Sequence, residues 1–194
     1  MLKLFDNYYY DIVSPEKSKD FLIQRKIIRK DAYKDFYVYN IKDLLSKKEH
    51  AASNVLQKNI SSRETLMILV YFKKEIIGYH FWVQKDENEF YMWSSAIAKQ
   101  HRWKWIYTML LDIIVSILTK RWYQKIISCH HVWNNNVLIP KLYKWFYIAW
   151  MSIDPMRWTL VDLVYFTNKK VRKAFEIRSW WCKPTKAEAN KLGI

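Results

Sequence analysis

A short basic segment of the chain has the residue types to bind a phosphate group. It reads Ile-Ala-Lys-Gln-His-Arg-Trp-Lys-Trp-Ile over residues 97–106 and leads into the most regularly apolar helix pattern of the sequence. The first turn of a helix has free backbone N–H groups, and the helix dipole favours negative charge there. With glycine at 103 and 105, a phosphate could approach the backbone closely. His101, Arg102 and Lys104 add positive charge, so the segment predicts a phosphate site; the alternative is a basic loop that only turns the chain.

Glycine and tryptophan have unusual shares of this sequence. The 194 residues include two glycines and eleven tryptophans, whereas glycine makes up about 7% of an average protein. Several tryptophans lie in short polar turns, where a backbone often needs a positive φ that an indole cannot supply. Our hypothesis is that glycine occupies some of these positions in the natural protein, because UGA is read as tryptophan in one variant genetic code and as glycine in another. The positions are Trp103, Trp105, Trp122, Trp145, Trp150, Trp158 and Trp180.

Strands and helices are predicted on the N-terminal side of the basic segment. The apolar runs 65–72, 76–84 and 89–98 are separated by short polar turns, which predicts a three-stranded antiparallel meander. Ser14-Pro15-Glu16 has the residues of a helix start, and that helix is expected to end near Arg29. We expect residues 1–13 to be irregular, 36–40 to form a short strand and 41–57 to form an amphipathic helix.

Further elements are predicted on the C-terminal side. Apolar residues recur at steps of three and four from Ile106 to Leu118, which predicts a buried helix closed by Lys120 and Arg121. A strand at 125–129, a helix at 137–144 and a strand at 160–166 follow, and a basic tail is expected to be flexible over about 180–194. This order predicts one domain over residues 1–194, of the α+β or mixed α/β class, with a mostly antiparallel sheet and helices on both faces.

Composition narrows the classes of function. The net charge of +15 is typical of proteins with anionic partners, although an AT-rich gene would also give scattered lysines. Cys129 and Cys182 form no Cys-x-x-Cys motif and fit a reducing cytoplasm, and His130-His131 lacks a third metal ligand. We expect no signal peptide and no membrane span, since the apolar run 106–118 is too short to cross a bilayer. The prediction is a cytoplasmic protein without a metal site.

The basic segment resembles the acyl-CoA pyrophosphate loop of the GNAT superfamily of N-acyltransferases, whose motif is Gln/Arg-x-x-Gly-x-Gly/Ala. Gln100 matches its first position, and Trp103 and Trp105 occupy its two glycine positions. The likeness covers about residues 65–166: Ile76-Ile77-Gly78 resembles a hairpin of the family, and Asn134 precedes Trp145 at the family's asparagine-to-glycine spacing. The resemblance implies a GNAT-like fold and an enzyme that transfers an acyl group, most simply acetyl, from CoA to a primary amine by direct attack in a ternary complex.

The resemblance also implies how acetyl-CoA would be held. Its pyrophosphate would lie on backbone N–H groups at 102–107, and its pantetheine arm would add beside Ile97 and Ala98 like an extra strand. Backbone N–H groups near Ile97 would polarise the thioester carbonyl. The predicted cofactor-binding residues are Ile97, Ala98, Gln100, His101, Arg102, Trp103, Lys104, Trp105, Ile106 and Asn134.

Candidate catalytic residues follow from the same resemblance. Many members have a tyrosine seven residues after the asparagine as the general acid; here Lys141 has that position and Tyr143, two residues later, is the candidate acid. His80, Glu89 and His130 lie on or beside the strands that flank the family's acceptor cleft, and Glu89 and His130 are the candidate bases we retain. Each of these residues has a structural alternative, and a water relay could replace a single base. The acceptor would be a small-molecule or protein amine, and the protein a monomer or homodimer.

Two other functions remain open at this stage. The alternative is a basic, aromatic-rich nucleic-acid-binding module without catalysis, in which tryptophans beside lysine and arginine stack on bases. It explains the charge of +15, but not why tryptophans lie at the turn positions of one acyltransferase pattern. A GNAT fold that only binds its ligand is the third possibility.

Overall fold

A computed structural model describes residues 1–32, 46–48, 51, 63–102, 105–155, 157–179 and 182–192 of the chain. The strands are β1 Leu2–Phe5, β2 Tyr8–Ile12, β3 Thr65–Phe72, β4 Glu75–Gln84, β5 Glu89–Ile97, β6 Lys125–His131, β7 Tyr147–Asp154 and β8 Trp158–Phe166. The helices are α1 Ser18–Ala32, α2 Ile106–Lys120, α3 Asn135–Tyr143, α4 Lys169–Arg178 and α5 Lys186–Leu192. A short 3-10 turn at Pro15–Lys17 precedes α1. A second one, at Lys99–His101, lies between β5 and α2.

The eight strands form one mixed sheet with the order β1-β2-β3-β4-β5-β6-β8-β7. Neighbouring strands are antiparallel except for β5 and β6, which run parallel because the helix α2 connects them. The predicted meander is therefore confirmed, and it is the centre of a larger sheet. The fold class is also as predicted: mixed α/β, mostly antiparallel, with helices on both faces.

Two hydrophobic cores, one on each face of the sheet, hold the helices in place. The larger core lies between the sheet and α2, where Leu110, Leu111 and Ile114 are fully buried against strand residues such as Trp82 and Phe90. The second core packs Phe21 and Ile28 of α1 on Met67, Tyr79 and Ala96. Buried residues of α2 recur at steps of three and four, as the sequence predicts.

A bulge in β5 changes which face of the sheet its side chains reach. Phe81 pairs with Ser94 and Val83 with Tyr91, so three steps of β5 lie opposite two steps of β4. Before the bulge, Phe90 and Met92 face α2; after it, Ala96 faces α1. The bulge therefore bends β5 close to the point where its pairing with β6 ends.

Several element predictions need correction. Residues 1–13 are not irregular, because β1 and β2 form a hairpin whose second strand pairs with β3. The single late strand is in fact a hairpin of β7 and β8, and the helices α4 and α5 were not predicted. β7 escaped prediction because it is an edge strand whose apolar residues, including Ile148 and Ile153, are exposed and do not alternate with polar ones.

Other predicted bounds shift by a few residues or fall outside the described chain. The first helix extends to Ala32, β6 to His131, and α3 begins at Asn135. The strand predicted at 36–40 and most of the helix predicted at 41–57 lie outside the described residues. Helix α5 lies within the segment 180–194, whose flexibility stays a prediction. Across the described part of the chain, no helix is both long and apolar enough to span a membrane.

Candidate functional site

A cleft opens in the middle of the sheet, where β5 and β6 part. Their parallel pairing covers only three residue pairs and ends at Tyr91 and Ile127, although both strands continue. Where β5 pairs with the antiparallel strand β4, the Ala98 amide donates a hydrogen bond of 2.7 Å to the Ile77 carbonyl. Hydrogen-bonded and non-bonded pairs alternate in such a ladder, so the Ile97 backbone N–H points away from β4 and towards the cleft.

The turn after β5 carries the predicted phosphate site. Ile97 is half-buried and its carbonyl accepts a hydrogen bond of 2.9 Å from Nε of Arg102. Both backbone groups of Ala98 are already used, since its carbonyl accepts from the His101 amide at 2.9 Å. Gln100 is exposed, whereas Ile106 is a buried core residue at the start of α2. Trp103 and Lys104 lie outside the described residues.

His101 faces the protein interior and not the turn. Its side chain is buried, Nδ1 lies 3.0 Å from the Tyr8 hydroxyl, and its ring packs against Phe72 at 5.0 Å between centroids. The structure therefore separates His101 from the other predicted cofactor-binding residues. Among the described residues, the positive charge beside the turn comes from Lys99 and Arg102.

Trp105, at the N-cap of α2, has a left-handed backbone. Its φ is 58° and its side chain is 76% exposed. Within the described part of the chain, three further tryptophans have positive φ: Trp122 at 67°, Trp145 at 64° and Trp158 at 66°. Trp180 lies outside the described residues. Positive φ is a genuine outlier for a bulky residue and is the conformation that glycine adopts without steric cost. The backbone thus supports the hypothesis of glycine at these four positions; Trp150 has no positive φ.

Two of these tryptophans close helices in the manner usual for glycine. After α2, the Trp122 amide donates to Thr119 at 3.1 Å and the Tyr123 amide to Leu118 at 3.2 Å. After α3, Trp145 donates to Leu142 and Phe146 to Lys141, both at 3.1 Å. This pair of bonds is the Schellman motif, whose left-handed C′ residue is usually glycine.

Helix α3 brings Asn134 and Lys141 to the other side of the cleft. Asn134 is the half-buried N-cap residue of α3, and its side chain makes no capping bond to the helix. Its backbone carbonyl accepts from the Val137 and Leu138 amides, each at 3.0 Å. Asn134 therefore lies at the start of α3, shortly after β6, with its carboxamide free of a capping bond, and its contact with the ligand arm stays a prediction.

A cluster of buried nitrogen bases lies beneath the point where the strands part. Lys141 is completely buried; its Nζ donates to Ser128 Oγ at 2.6 Å and lies 2.8 Å from His130 Nε2. His80, also completely buried, stacks on Tyr107 of α2 at 5.8 Å between ring centroids. Neither ring nitrogen of His80 has a hydrogen-bond partner. In the sequence, Lys141 stands out only because it replaces the tyrosine of the family. Its burial could have been inferred because Leu138 precedes it by three residues, which puts both on one face of α3.

Burial lowers the pKa of each base in this cluster. Loss of water lowers the pKa of Lys141 well below its ordinary value, and only Cys129 acts in the opposite direction. Burial, followed by the charge of Lys141, lowers the pKa of His80 to about 3. The same two causes depress the pKa of His130, so its ring is a weak base at neutral pH. Burial therefore favours the uncharged form of each of these groups, in which the nitrogen has a free lone pair.

The opposite face of the sheet has a cavity of about 760 Å³ at the same strands. Tyr91 and Trp93 of β5, Cys129 of β6 and Asp162 of β8 line it, under helix α4. Burial, and then a hydrogen bond to Asp162, raises the pKa of Cys129 to about 12, so it is a thiol at neutral pH. Asp162 was missed in the sequence because it is the single acid of an otherwise apolar strand pattern.

The two other predicted catalytic residues, Glu89 and Tyr143, differ in position. Glu89 begins β5, lines the cavity on the opposite face and forms ion pairs with Lys125 and, at 3.3 Å, with Lys85. Tyr143 is 82% exposed on the outer face of α3, away from the buried cluster. Of the three candidates, the structure places only His130 beside the parting strands. Among the described residues, no group of three His, Cys, Asp or Glu side chains could hold a metal ion.

The sheet order, the bulge, the parted strands and the turn into α2 together define the GNAT acyl-CoA N-acyltransferase fold. The ribosomal-protein-S18-alanine N-acetyltransferase from Escherichia coli superimposes with a TM-score of 0.60 at 12% identity, over 83% of this chain and 94% of that chain. Naa50 from Arabidopsis thaliana, in complex with the bisubstrate analogue CoA-Ac-MVNAL, gives a TM-score of 0.57 at 15% identity, over 82% and 99%. A GNAT acetyltransferase from Elizabethkingia anophelis with acetyl-CoA bound gives 0.54 at 13%, over 84% and 99%. No protein-family model and no curated protein matches the sequence.

Proposed function

We propose that the protein is an N-acetyltransferase that moves an acetyl group from acetyl-CoA to a primary amine. The observation that carries the proposal is the cleft between β5 and β6, with the free edge of β5 leading directly into the N-terminus of α2. Similar structures with CoA-Ac-MVNAL or acetyl-CoA bound support the choice of cofactor. The two described cysteines are free, which fits a reducing cytoplasm.

The chain offers contacts for each part of acetyl-CoA. The Ile97 N–H points towards the cleft and would bind the pantetheine arm or the thioester oxygen. The Asn134 carboxamide, which makes no capping bond to α3, would contact the same arm. The free N–H groups of the first turn of α2 fit a diphosphate. The backbone therefore fits the cofactor, whereas the indole at Trp105 stands where the phosphate groups would approach.

Bound acetyl-CoA supplies an activated acyl group, and the residues of the chain orient the amine and accept its proton. We place the acceptor in the cavity of about 760 Å³, on the face opposite α2 and α3. There the Asp162 carboxylate can hold an ammonium group and the ring of Tyr91 can pack against it. Asp162, or water bound to it, is a base candidate for this step beside His130, whose pKa is depressed by burial.

The acceptor is a primary amine, carried either by a small molecule or by a protein. Arg63, Lys85, Lys125 and Arg178 also line the cavity, so cationic side chains outnumber the two carboxylates, Glu89 and Asp162. This balance favours an acceptor that carries an anionic group as well as its amine. Amino acids and phosphorylated amines carry both an amine and an anionic group, so they are the first acceptors to test.

Titration calorimetry with acetyl-CoA tests the proposal, followed by release of free thiol in the presence of amines. The printed chain and a Trp103→Gly, Trp105→Gly variant are compared. We expect the variant to bind and to release CoA thiol with at least one amine. Absence of binding by both forms would rule the proposal out; equal tight binding by both would remove the steric role assigned to the indoles.

The net charge of +15 and the exposed indoles favour a second candidate, binding of single-stranded nucleic acid. Trp122, for example, is 83% exposed beside Lys120 and Arg121. Oligonucleotide affinity that falls steeply with salt, without any turnover of acetyl-CoA, would favour this candidate over the transferase.

A further inference from the structure

Lys141 is a buried amine that the proposed transfer to an external acceptor does not use. Its hydrogen-bond partner Ser128 is the first residue of β6 beyond the last pair with β5. The amine thus lies directly beneath the opening of the cleft, 2.6 Å from Ser128 Oγ. An acyl-CoA arm that lay along the edge of β5 would cross this opening.

The surroundings of Lys141 favour the nucleophilic form of the amine. Ser128 and His130 face it from β6, His80 lies close enough on β4 to be influenced by its charge, and the Phe146 ring centroid is 5.2 Å from Nζ. Within the described residues it has no ion pair with a carboxylate. A neutral amine has the free lone pair that a protonated surface lysine lacks.

We infer that Lys141 accepts an acetyl group from the thioester bound in this cleft, so that the protein acetylates itself at a buried amine. The inference rests on the proposed function, because the acyl donor must lie between β5 and β6. Nζ attacks the carbonyl carbon, an N–C bond forms, and the C–S bond breaks with its electron pair leaving on sulfur. One amine proton passes to the thiolate, directly or through Ser128 or His130.

His80 gives the product a partner. Both of its ring nitrogens are buried without a hydrogen bond, and a buried polar group normally has one. A neutral imidazole carries one N–H, which can donate to the carbonyl oxygen of an acetylated Lys141. A fully buried ring that lacks a hydrogen-bond partner and stacks on Tyr107 of α2 is therefore a second observation in favour of an acyl group at this place.

The test is incubation of the purified full chain with acetyl-CoA, followed by intact-mass spectrometry and peptide mapping. We expect one acetyl group per chain, located at Lys141. Lys144→Arg is the matched control, because Lys144 lies on the same stretch of chain and pairs with Asp112 at 2.6 Å in an exposed ion pair. Lys144→Arg should retain the label and Lys141→Met should lose it. The site assignment in the unmodified chain decides the result even if Lys141→Met fails to fold.

The pH dependence separates Lys141 from surface lysines. A surface amine with a pKa near about 10.4 is acetylated roughly tenfold faster for each pH unit, from about pH 7 to about pH 9. Labelling of Lys141 should rise less steeply over that range, because burial lowers the pKa of its amine. A tenfold rise per unit at Lys141 would contradict a desolvated nucleophile.

A second donor separates this inference from the proposed function. S-acetyl-N-acetylcysteamine has the thioester arm of CoA without its nucleotide, and so does not need the turn before α2. Both donors are given to the printed chain and to its Trp103→Gly, Trp105→Gly form. Labelling of Lys141 by this reagent, without binding of acetyl-CoA by either form, supports the inference and contradicts the proposed function. Binding of acetyl-CoA without labelling of Lys141 by either donor overturns the inference and leaves the transferase intact. Failure of both donors to bind or label overturns both.

Discussion

Two groups of tryptophans in this molecule have opposite relations to their backbone. Trp82, in the central strand β4, is fully buried in the larger core between the sheet and α2. Trp105, Trp122, Trp145 and Trp158 lie in turns, have positive φ and are 65–83% exposed. The first uses the large apolar surface of an indole; the others leave most of it exposed to solvent and adopt a conformation that disfavours any side chain. Tryptophan therefore suits the backbone conformation of the core strand but does not suit that of the turns.

The core side of this comparison is tested by Trp82→Ala. We expect a loss of about 3–5 kcal/mol in the free energy of unfolding, because a large buried ring is removed and the cavity cannot fully collapse. Urea denaturation monitored by circular dichroism measures it. A loss below about 1 kcal/mol would mean that Trp82 is as dispensable as an indole in a turn.

Gly78 tests the reverse change, from glycine to a side chain. A Cβ at this position would lie 2.4 Å from Ile97 Cδ1 and 2.9 Å from the Ala96 carbonyl oxygen. Gly78→Ala should cost about 1–3 kcal/mol and displace β5 at the edge of the cleft. Chemical denaturation gives the first effect, and weaker binding of acetyl-CoA the second. Unchanged stability with unchanged binding would show that β5 can shift freely there.

The turn before α2 is tested by replacing Trp103 and Trp105 with glycine. We expect at least a tenfold increase in affinity for acetyl-CoA, or about 1.4 kcal/mol, because the phosphate groups gain access to the N–H groups of the first turn. Calorimetric titration of both forms measures it. Trp133→Gly is the control, since Trp133 is exposed, lacks a positive φ and lies after β6, and it should leave the affinity unchanged.

The remaining turns are tested one at a time by Trp122→Gly and Trp158→Gly. Each should raise the free energy of unfolding by about 1 kcal/mol, because the strain of a bulky residue at positive φ exceeds the entropic cost of glycine. Trp145→Gly should gain less, since it also loses the contact of Arg172 with the indole at 5.3 Å. Trp93→Gly is the matched control: it is exposed in β5 without a positive φ, and should lower stability.

The codons give an independent answer to the same question. UGA at the four left-handed positions and UGG at Trp82 would agree with the conformational division. UGG codons at Trp105, Trp122, Trp145 and Trp158 would refute the glycine hypothesis, and the strain would then belong to the protein itself.

Much of the central fold could be predicted from the sequence because its signals are local. The strands β3 to β5 have apolar runs separated by polar turns, and α2 has one continuous apolar face. β1, β2 and β7 could not be predicted in this way, since their apolar residues are partly exposed and only pairing with a neighbouring strand orders them. Pairing across more than fifty residues, as between β2 and β3, has no signal in a local window.

The candidate site was predicted unevenly for a related reason. The turn before α2 and Asn134 depend on spacing along the chain, so the sequence could identify them. The contacts of Lys141 with Ser128 and His130 depend on how α3 packs on β6, and the burial of His101 depends on Tyr8 from the opposite end of the chain. Side chains brought together by tertiary packing are visible only in the folded molecule.

The left-handed turns also bear on how the protein should be made in the laboratory. An expression host applies its own decoding machinery to a foreign gene, and the polypeptide recovered depends on that choice wherever a codon has more than one meaning. A synthetic gene that encodes each of these residues with an unambiguous codon gives a defined polypeptide. Two such genes, which differ only at the turns, would supply protein for crystallisation and for every binding assay. The yield of folded protein would be the first indication of which version folds better.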